Sequence, residues 1–116
     1  MRRPLIVSRI SKAMKEKLPQ ATTILYGSEA RGDARPDSDI DLLVLLPVSR
    51  VSYDDRDKVI DALYDIELDT GVSISPYVVS LHQWQNRPFR TQFYENVLHD
   101  GINLSNNGEY ERRIRC

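Results

Sequence analysis

The amino-acid sequence predicts an α/β domain in which helices and short strands alternate. Three observations carry this. Apolar residues recur at three- and four-residue intervals over 6–18 and again over 54–68, the period of a helix with one inward stripe. The runs 22–26 and 39–46 are apolar, in part β-branched, and of strand length. Proline and glycine punctuate the chain between these segments, at Pro19, Gly27, Pro47, Gly71 and Gly101.

In the first helix Ile6, Ile10, Ala13, Met14 and Leu18 share one stripe, and Pro19 stops it. The strand 22–26 ends at Gly27. Residues 27–38 are rich in Gly, Ser, Asp, Arg and Pro, and read as a short helical turn over 28–31 followed by a loop. The strand 39–46 begins by alternating acid with apolar residues and ends continuously apolar, so its far end is expected to be buried on both faces. The second long helix, 54–68, takes Val59, Ile60, Leu63 and Ile66 as its inner stripe, with Asp54 and Asp55 favourable at its positive N-terminus. A third strand is expected within 72–79. Pro76 removes one ladder donor there and argues for an edge, a bulge or a break. Ser80 caps a short helix over 81–85, and Pro88 opens another through His99 with Phe89, Phe93, Val97 and Leu98 turned inward. A last short strand over 102–104 completes a single domain, 1–104, and 105–116 reads as a charged tail.

The 116 residues suffice for one ordinary core, and 41% apolar with 28% charged residues is average globular usage. Sixteen Lys and Arg nearly cancel seventeen Asp and Glu, so no field gathers a polyanion and nucleic-acid binding is not favoured. No apolar run approaches the ~20 residues that span a bilayer, so a membrane role is not expected. The basic, briefly apolar start is interrupted by Ser8, Arg9 and Lys12 before a signal-peptide core develops. The one cysteine, Cys116, allows neither an internal disulfide nor a multi-cysteine zinc site, and the expected compartment is a reducing cytoplasm.

The chemistry concentrates in 27–41. Gly27 directly after a strand permits a sharp turn, and a helical turn starting at Ser28 aims N–H groups and a hydroxyl at an anion. Asp39 and Asp41 lie two residues apart, so on a strand both carboxylates leave the same face with Cα atoms roughly 6.6–7 Å apart. Both then reach one metal cluster, and divalent ions bridged by carboxylates activate an attacking oxygen while stabilising a leaving pyrophosphate. Magnesium suits such hard oxygen ligands and substrate phosphates. Taken singly, a Gly-Ser pair is a turn, an Asp-x-Asp is a solvated strand end, and Arg31 and Arg35 are surface charges. Together they lie at the same end of two adjacent strands.

Competing motifs fail on particular letters. Asp37, Asp39 and Asp41 have EF-hand spacing, but Leu42 and Val48 stand where that loop needs Gly and Glu. The interval from Gly27 to Gly32 lacks the Lys and Ser/Thr of a P-loop, and no G-x-G-x-x-G occurs.

Gly27-Ser28, ten intervening residues, then Asp39-Ile40-Asp41 resembles the signature of the DNA polymerase β-like nucleotidyltransferase superfamily in its minimal single-domain (MNT) form. The neighbouring Tyr26, Ala30-Arg31-Gly32 and Ser38 through Leu42 extend the match, which is sharp over 24–46 and diffuse elsewhere. The resemblance implies a nucleotidyltransferase fold, an α/β (α+β) arrangement of a small mixed sheet flanked by helices. It implies transfer of a nucleoside monophosphate, AMP from ATP, to a hydroxyl. It also implies roles: Gly27 and Ser28 cradle the triphosphate, Asp39 and Asp41 hold Mg²⁺ or Mn²⁺ as catalytic acids, and Arg31 is a weaker candidate for a phosphate contact.

The sequence departs from the family in one place. A third carboxylate is expected on the next strand, and here Gly71-Val72-Ser73-Ile74-Ser75-Pro76-Tyr77 offers Ser75 or Ser73 instead. Asp65, Glu67 or Asp69 would substitute only if the helix end were placed differently. Minimal members often pair with an all-helical HEPN protein as a toxin–antitoxin couple, which makes such a protein the partner the resemblance implies. An oligomer is left open. The alternative is a catalytically weakened module that binds nucleotide or partner. His82 and His99 are seventeen positions apart and read as ordinary helix residues, while Trp84, Phe89, Phe93 and Tyr94 read as core or partner surface.

Overall fold

The computed structural model describes residues 1–87 and 90–105. Four strands form one mixed sheet. β1 (Thr22–Tyr26) and β2 (Ile40–Leu46) are antiparallel, β3 (Ile74–Ser80) runs parallel to β2, and β4 (Ile102–Asn103) pairs antiparallel with β1, giving the order β3-β2-β1-β4. The register sets Asp41 opposite Tyr26 on one side and opposite Ser75 on the other.

The helices divide between the two sheet faces. α1 (Pro4–Lys17) and α3 (Tyr53–Thr70) cover one face, where Val7, Ile10 and Met14 meet Leu42, Val44, Val59, Leu63 and Ile66. α4 (Leu81–Gln85) and α5 (Gln92–Asp100) cover part of the other, packing Trp84, Tyr94 and Val97 on Ile24, Leu43 and Leu45. β2 is therefore buried on both sides from Leu42 onward, as its apolar run predicts. A final short helix, α2 (Gly27–Arg31), links β1 to the loop that leads into β2.

Local chemistry accounts for the ends. Proline occupies the first turn of α1, where its missing N–H costs nothing. Ser52 and Asp55 form a reciprocal capping box on α3, and Gly71 closes that helix in the left-handed conformation. Pro76 is accommodated because β3 is an edge strand.

Three expectations need correction. Ile60 is half exposed, and Ala62 takes its place in the inner stripe of α3. The last helix starts at Gln92, capped by the Thr91 hydroxyl, because Thr91 supplies the cap that Pro88 cannot. Ser105 is no tail residue: its hydroxyl accepts from the Thr23 N–H at 2.8 Å. Pro88 and Phe89, expected in the last helix, and residues 106–116 of the expected tail lie outside the described residues.

Ser80 joins both halves. Fully buried, it donates to the Val48 carbonyl and accepts from the Gln83 N–H as the cap of α4. Ser80→Ala is expected to cost about 1–3 kcal/mol in urea unfolding, since a cap and a buried carbonyl's partner are lost together.

Candidate nucleotide site

The half of the second sheet face that α4 and α5 leave uncovered holds the predicted site. Tyr26, Asp41 and Ser75 form one row across β1, β2 and β3, and directly behind it runs the row Ile24, Leu43, Tyr77. Opposed residues in a sheet project from the same face, so the row is a floor shared by an acid, a phenol and a serine hydroxyl.

Gly27 follows this floor with φ +77°, a left-handed conformation that glycine adopts freely. A Cβ built there falls 2.6 Å from Asp41 Oδ2. The Asp41 carboxylate thus lies against the glycine backbone, in space any other residue would claim. Ser28 is the next residue of α2. Its carbonyl accepts from the Gly32 and Asp33 N–H groups, each at 3.0 Å, and its side-chain hydroxyl has no hydrogen-bond partner among the described residues.

Asp39 immediately precedes β2 rather than starting it, and is exposed. The loop delivering it is folded by Ser38, whose hydroxyl accepts from the Arg35 N–H at 2.9 Å. Ser75 Oγ donates to Asp39 Oδ2 at 3.3 Å, joining β3 to the acid pair. Burial raises the proton affinity of the Asp41 carboxyl and the nearby charge of Asp39 raises it further, while Arg31 pulls it down. Two crowded carboxylates of this kind favour a cation between them.

The other sequence candidates are placed as follows. Arg31 is close enough to act on Asp41 but is engaged by Asp100 at 3.2 Å and Asp33 at 3.3 Å. Those partners hold its guanidinium beside the floor. Glu67 accepts from the Ile74 N–H at 3.0 Å, Asp69 pairs with Arg9 at 2.9 Å, and Asp65 is exposed on α3. Among the described residues no three metal-binding side chains of the His, Cys, Asp or Glu type converge. Two carboxylates fit one magnesium ion, which commonly takes one or two protein acids and fills its shell with substrate phosphates and water.

Two features escaped the sequence reading. Glu29, on α2, is fully buried and accepts from the Arg2 N–H at 2.6 Å, the Arg3 N–H at 2.8 Å and Arg3 Nε at 2.7 Å. Burial works to raise its pKa, but the hydrogen bonds from Arg3 and Arg2 outweigh it and hold the carboxyl below its ordinary value. With Arg2 Nε donating to the Gly32 carbonyl at 2.9 Å, the N-terminal segment straps α2 in place. No periodic signal marks a pair 26 positions apart. The second feature is an aromatic wall: Phe93 of α5 meets Tyr26 edge-on at 5.4 Å and Tyr77 at 5.6 Å. Burial, Asp41 and Tyr77 together raise the pKa of the Tyr26 phenol, which places all three groups in one electrostatic neighbourhood. Strand alternation alone puts Tyr77 on the face of Ser75 and was a usable signal.

Two predictions follow from this geometry. Gly27→Ala is expected to cost more than the ~1–2 kcal/mol of left-handed strain alone. Gly71→Ala measures that strain separately, since Gly71 has φ +70° and nothing within 4 Å of its built Cβ. Equal losses in chemical denaturation would mean that Asp41 does not depend on the bare glycine. The second concerns pH. A carboxyl whose folded pKa is lowered stabilises above its unfolded value and loses that contribution as pH falls through the folded one. Melting temperature should therefore fall more steeply below pH ~4.3 for the parent than for Glu29→Gln.

The nucleotidyltransferase domain family matches residues 7–96. Two proteins of Methanocaldococcus jannaschii that carry the name protein adenylyltransferase are similar. One is 40% identical over 67% of this chain and 71% of its own length, the other 30% identical over 82% and 87%. Among solved structures, a toxin–antitoxin crystallised with AMP-PNP superposes with a TM-score of 0.57 at 21% identity, covering 84% of this chain and 71% of that one. A complex of an MNT antitoxin with a tri-AMPylated HEPN toxin of Shewanella oneidensis gives 0.52 at 19% identity, covering 88% and 71%. At these identities the structures speak for the fold, and the sequence matches for the family. The chain belongs to the nucleotidyltransferase domain family.

Proposed function

We propose that this protein transfers AMP from ATP to a hydroxyl of a partner protein, in a reaction that depends on Mg²⁺ or Mn²⁺. The observation that carries the reading is the seating of the Asp41 carboxylate on the bare backbone of Gly27, next to Ser28 in the chain and near the Asp39 carboxylate. Phosphate groups and a cation are the complementary ligand for such a set. The relatives named protein adenylyltransferase support adenylyl transfer to a protein, and the toxin–antitoxin structures support a HEPN-type helical partner.

Each residue then has a task. Gly27 and Ser28 receive the triphosphate, the backbone approaching closely because no Cβ intervenes. Arg31, anchored by Asp33 and Asp100, supplies positive charge at the edge of the same seat. Asp39 and Asp41 hold the metal, which when bound neutralises phosphate charge and favours the departing pyrophosphate. Ser75 orients the Asp39 carboxylate through its hydroxyl. The N-terminal strap on Glu29 keeps α2, and with it the phosphate seat, in register with β2.

A second reading has its own support. β3 contributes Ser75 beside Asp41, and no strand residue of β3 carries a carboxylate. A site with two acids in place of three favours binding over turnover, which suits a module that holds nucleotide or partner without rapid chemistry.

Labelled ATP with Mg²⁺ or Mn²⁺ and the protein encoded by the adjacent gene separates the two. The enzymatic reading expects label on the partner from the parent protein and none from the Asp39→Ala, Asp41→Ala double variant. Absence of label in both, with partner binding equal in both, supports the binding module and removes the enzyme.

A further inference from the structure

We propose that Tyr77 is itself a modification site: with ATP seated and no other acceptor present, its phenol accepts the adenylyl group. This rests on the nucleotidyl-transfer reading and adds an acceptor to it.

Displacement at a phosphoryl group proceeds with the attacking and leaving oxygens roughly in line. The phosphate seat, Gly27 and Ser28, follows the end of β1, and the acids belong to the start of β2. With the leaving pyrophosphate on the β1 side, the attacking oxygen must approach from the opposite side, over β3. The hydroxyl-bearing residues that β3 presents on that face are Ser75, opposite Asp41, and Tyr77, opposite Leu43. Neighbouring strands are ~4.8 Å apart, and residues two apart on a strand are separated by roughly 6.6–7 Å, within the reach of a tyrosine side chain.

Three hydroxyls compete, and the structure ranks them. Ser75 Oγ is committed to Asp39. Tyr26 stands on β1, the leaving-group side, with its ring half-buried against Phe93. Tyr77 is 53% exposed, its hydroxyl has no hydrogen-bond partner among the described residues, and its ring is steadied edge-on by Phe93. A large aromatic side chain left this exposed on the open half of the sheet face is available to a ligand at the site.

The step balances. A bond forms between Tyr77 Oη and the α-phosphorus, and the bond from that phosphorus to the oxygen bridging the β-phosphate breaks. Pyrophosphate leaves with the electron pair, and the phenolic proton passes to solvent. The adenylyl group fixed to Tyr77 then fills the approach that any other acceptor needs, so the modified chain is closed to transfer onto a partner.

The test uses the full chain alone with Mg²⁺ and ATP, followed by intact-mass measurement and peptide mapping. One adenylyl group on Tyr77 is expected for the parent, and none for Tyr77→Phe or for the Asp39→Ala, Asp41→Ala double variant. Tyr77→Phe keeps the ring that packs on Phe93, and an unchanged melting temperature checks that its fold is intact. A parent that binds Mg·ATP in calorimetry yet stays unlabelled, or label that persists undiminished in Tyr77→Phe, overturns the proposal and leaves the nucleotide site standing. A parent that binds no Mg·ATP removes both.

Discussion

The structure turns on one close approach, that of the Asp41 carboxylate to Gly27. β1 and β2 are antiparallel and in a register that sets Tyr26 against Asp41, so the first residue beyond β1 falls beside the acid. Any side chain at that residue would meet Asp41 Oδ2, and the left-handed backbone of Gly27 would strain it besides. The absence of one methyl-sized group permits an acid and a turn to share a few ångströms. The order of the sheet, the loop that carries Asp39 and the strap that holds α2 all preserve that coincidence.

The two sheet faces do different work. α1 and α3 seal one with a continuous apolar layer, which supplies the burial a domain of this size needs. The other is sealed only where Trp84, Tyr94 and Val97 sit, leaving the row Tyr26, Asp41, Ser75 open. Phe93 stands at the boundary, part of the core cluster on one side and the back wall of the site on the other. Core packing and the candidate site therefore meet at the same aromatic contact. Glu29, also on α2, is the counterpart: a buried acid satisfied by two backbone N–H groups and a guanidinium of the N-terminal segment.

Most of the fold was legible because it is written locally. The stripe of Ile10 and Met14, the apolar run after Asp41 and the stops at Gly27 and Gly71 each follow from periodicity or backbone freedom, and the elements appear where those signals lie. Ile60 neighbours Val59 at a position where period 3.6 admits either a core or a surface residue, and Ala62 is the one buried in the core cluster. The site was half legible. Gly27, Ser28, Asp39 and Asp41 are close in sequence and stand together in space. The pairing of Glu29 with Arg3 and the meeting of Tyr26, Tyr77 and Phe93 come from tertiary docking of segments far apart in the chain, and no short window contains them. Ser75 lies between: strand alternation put it on the right face, and the parallel register of β2 with β3 made it the neighbour of Asp41.

On the proposed function, the pair of carboxylates separates this site from a plain phosphate seat, and Ser75 separates it from a fully acidic catalytic centre. On that proposal, Asp39 and Asp41 join the metal to the triphosphate directly over Gly27. The most direct measurement is a crystal structure with Mg²⁺ and a non-hydrolysable ATP analogue. It should place the ion on both carboxylates and the phosphates against the Gly27–Ser28 backbone. Nucleotide bound elsewhere, or an ion that touches neither Asp39 nor Asp41, would contradict the account at its centre.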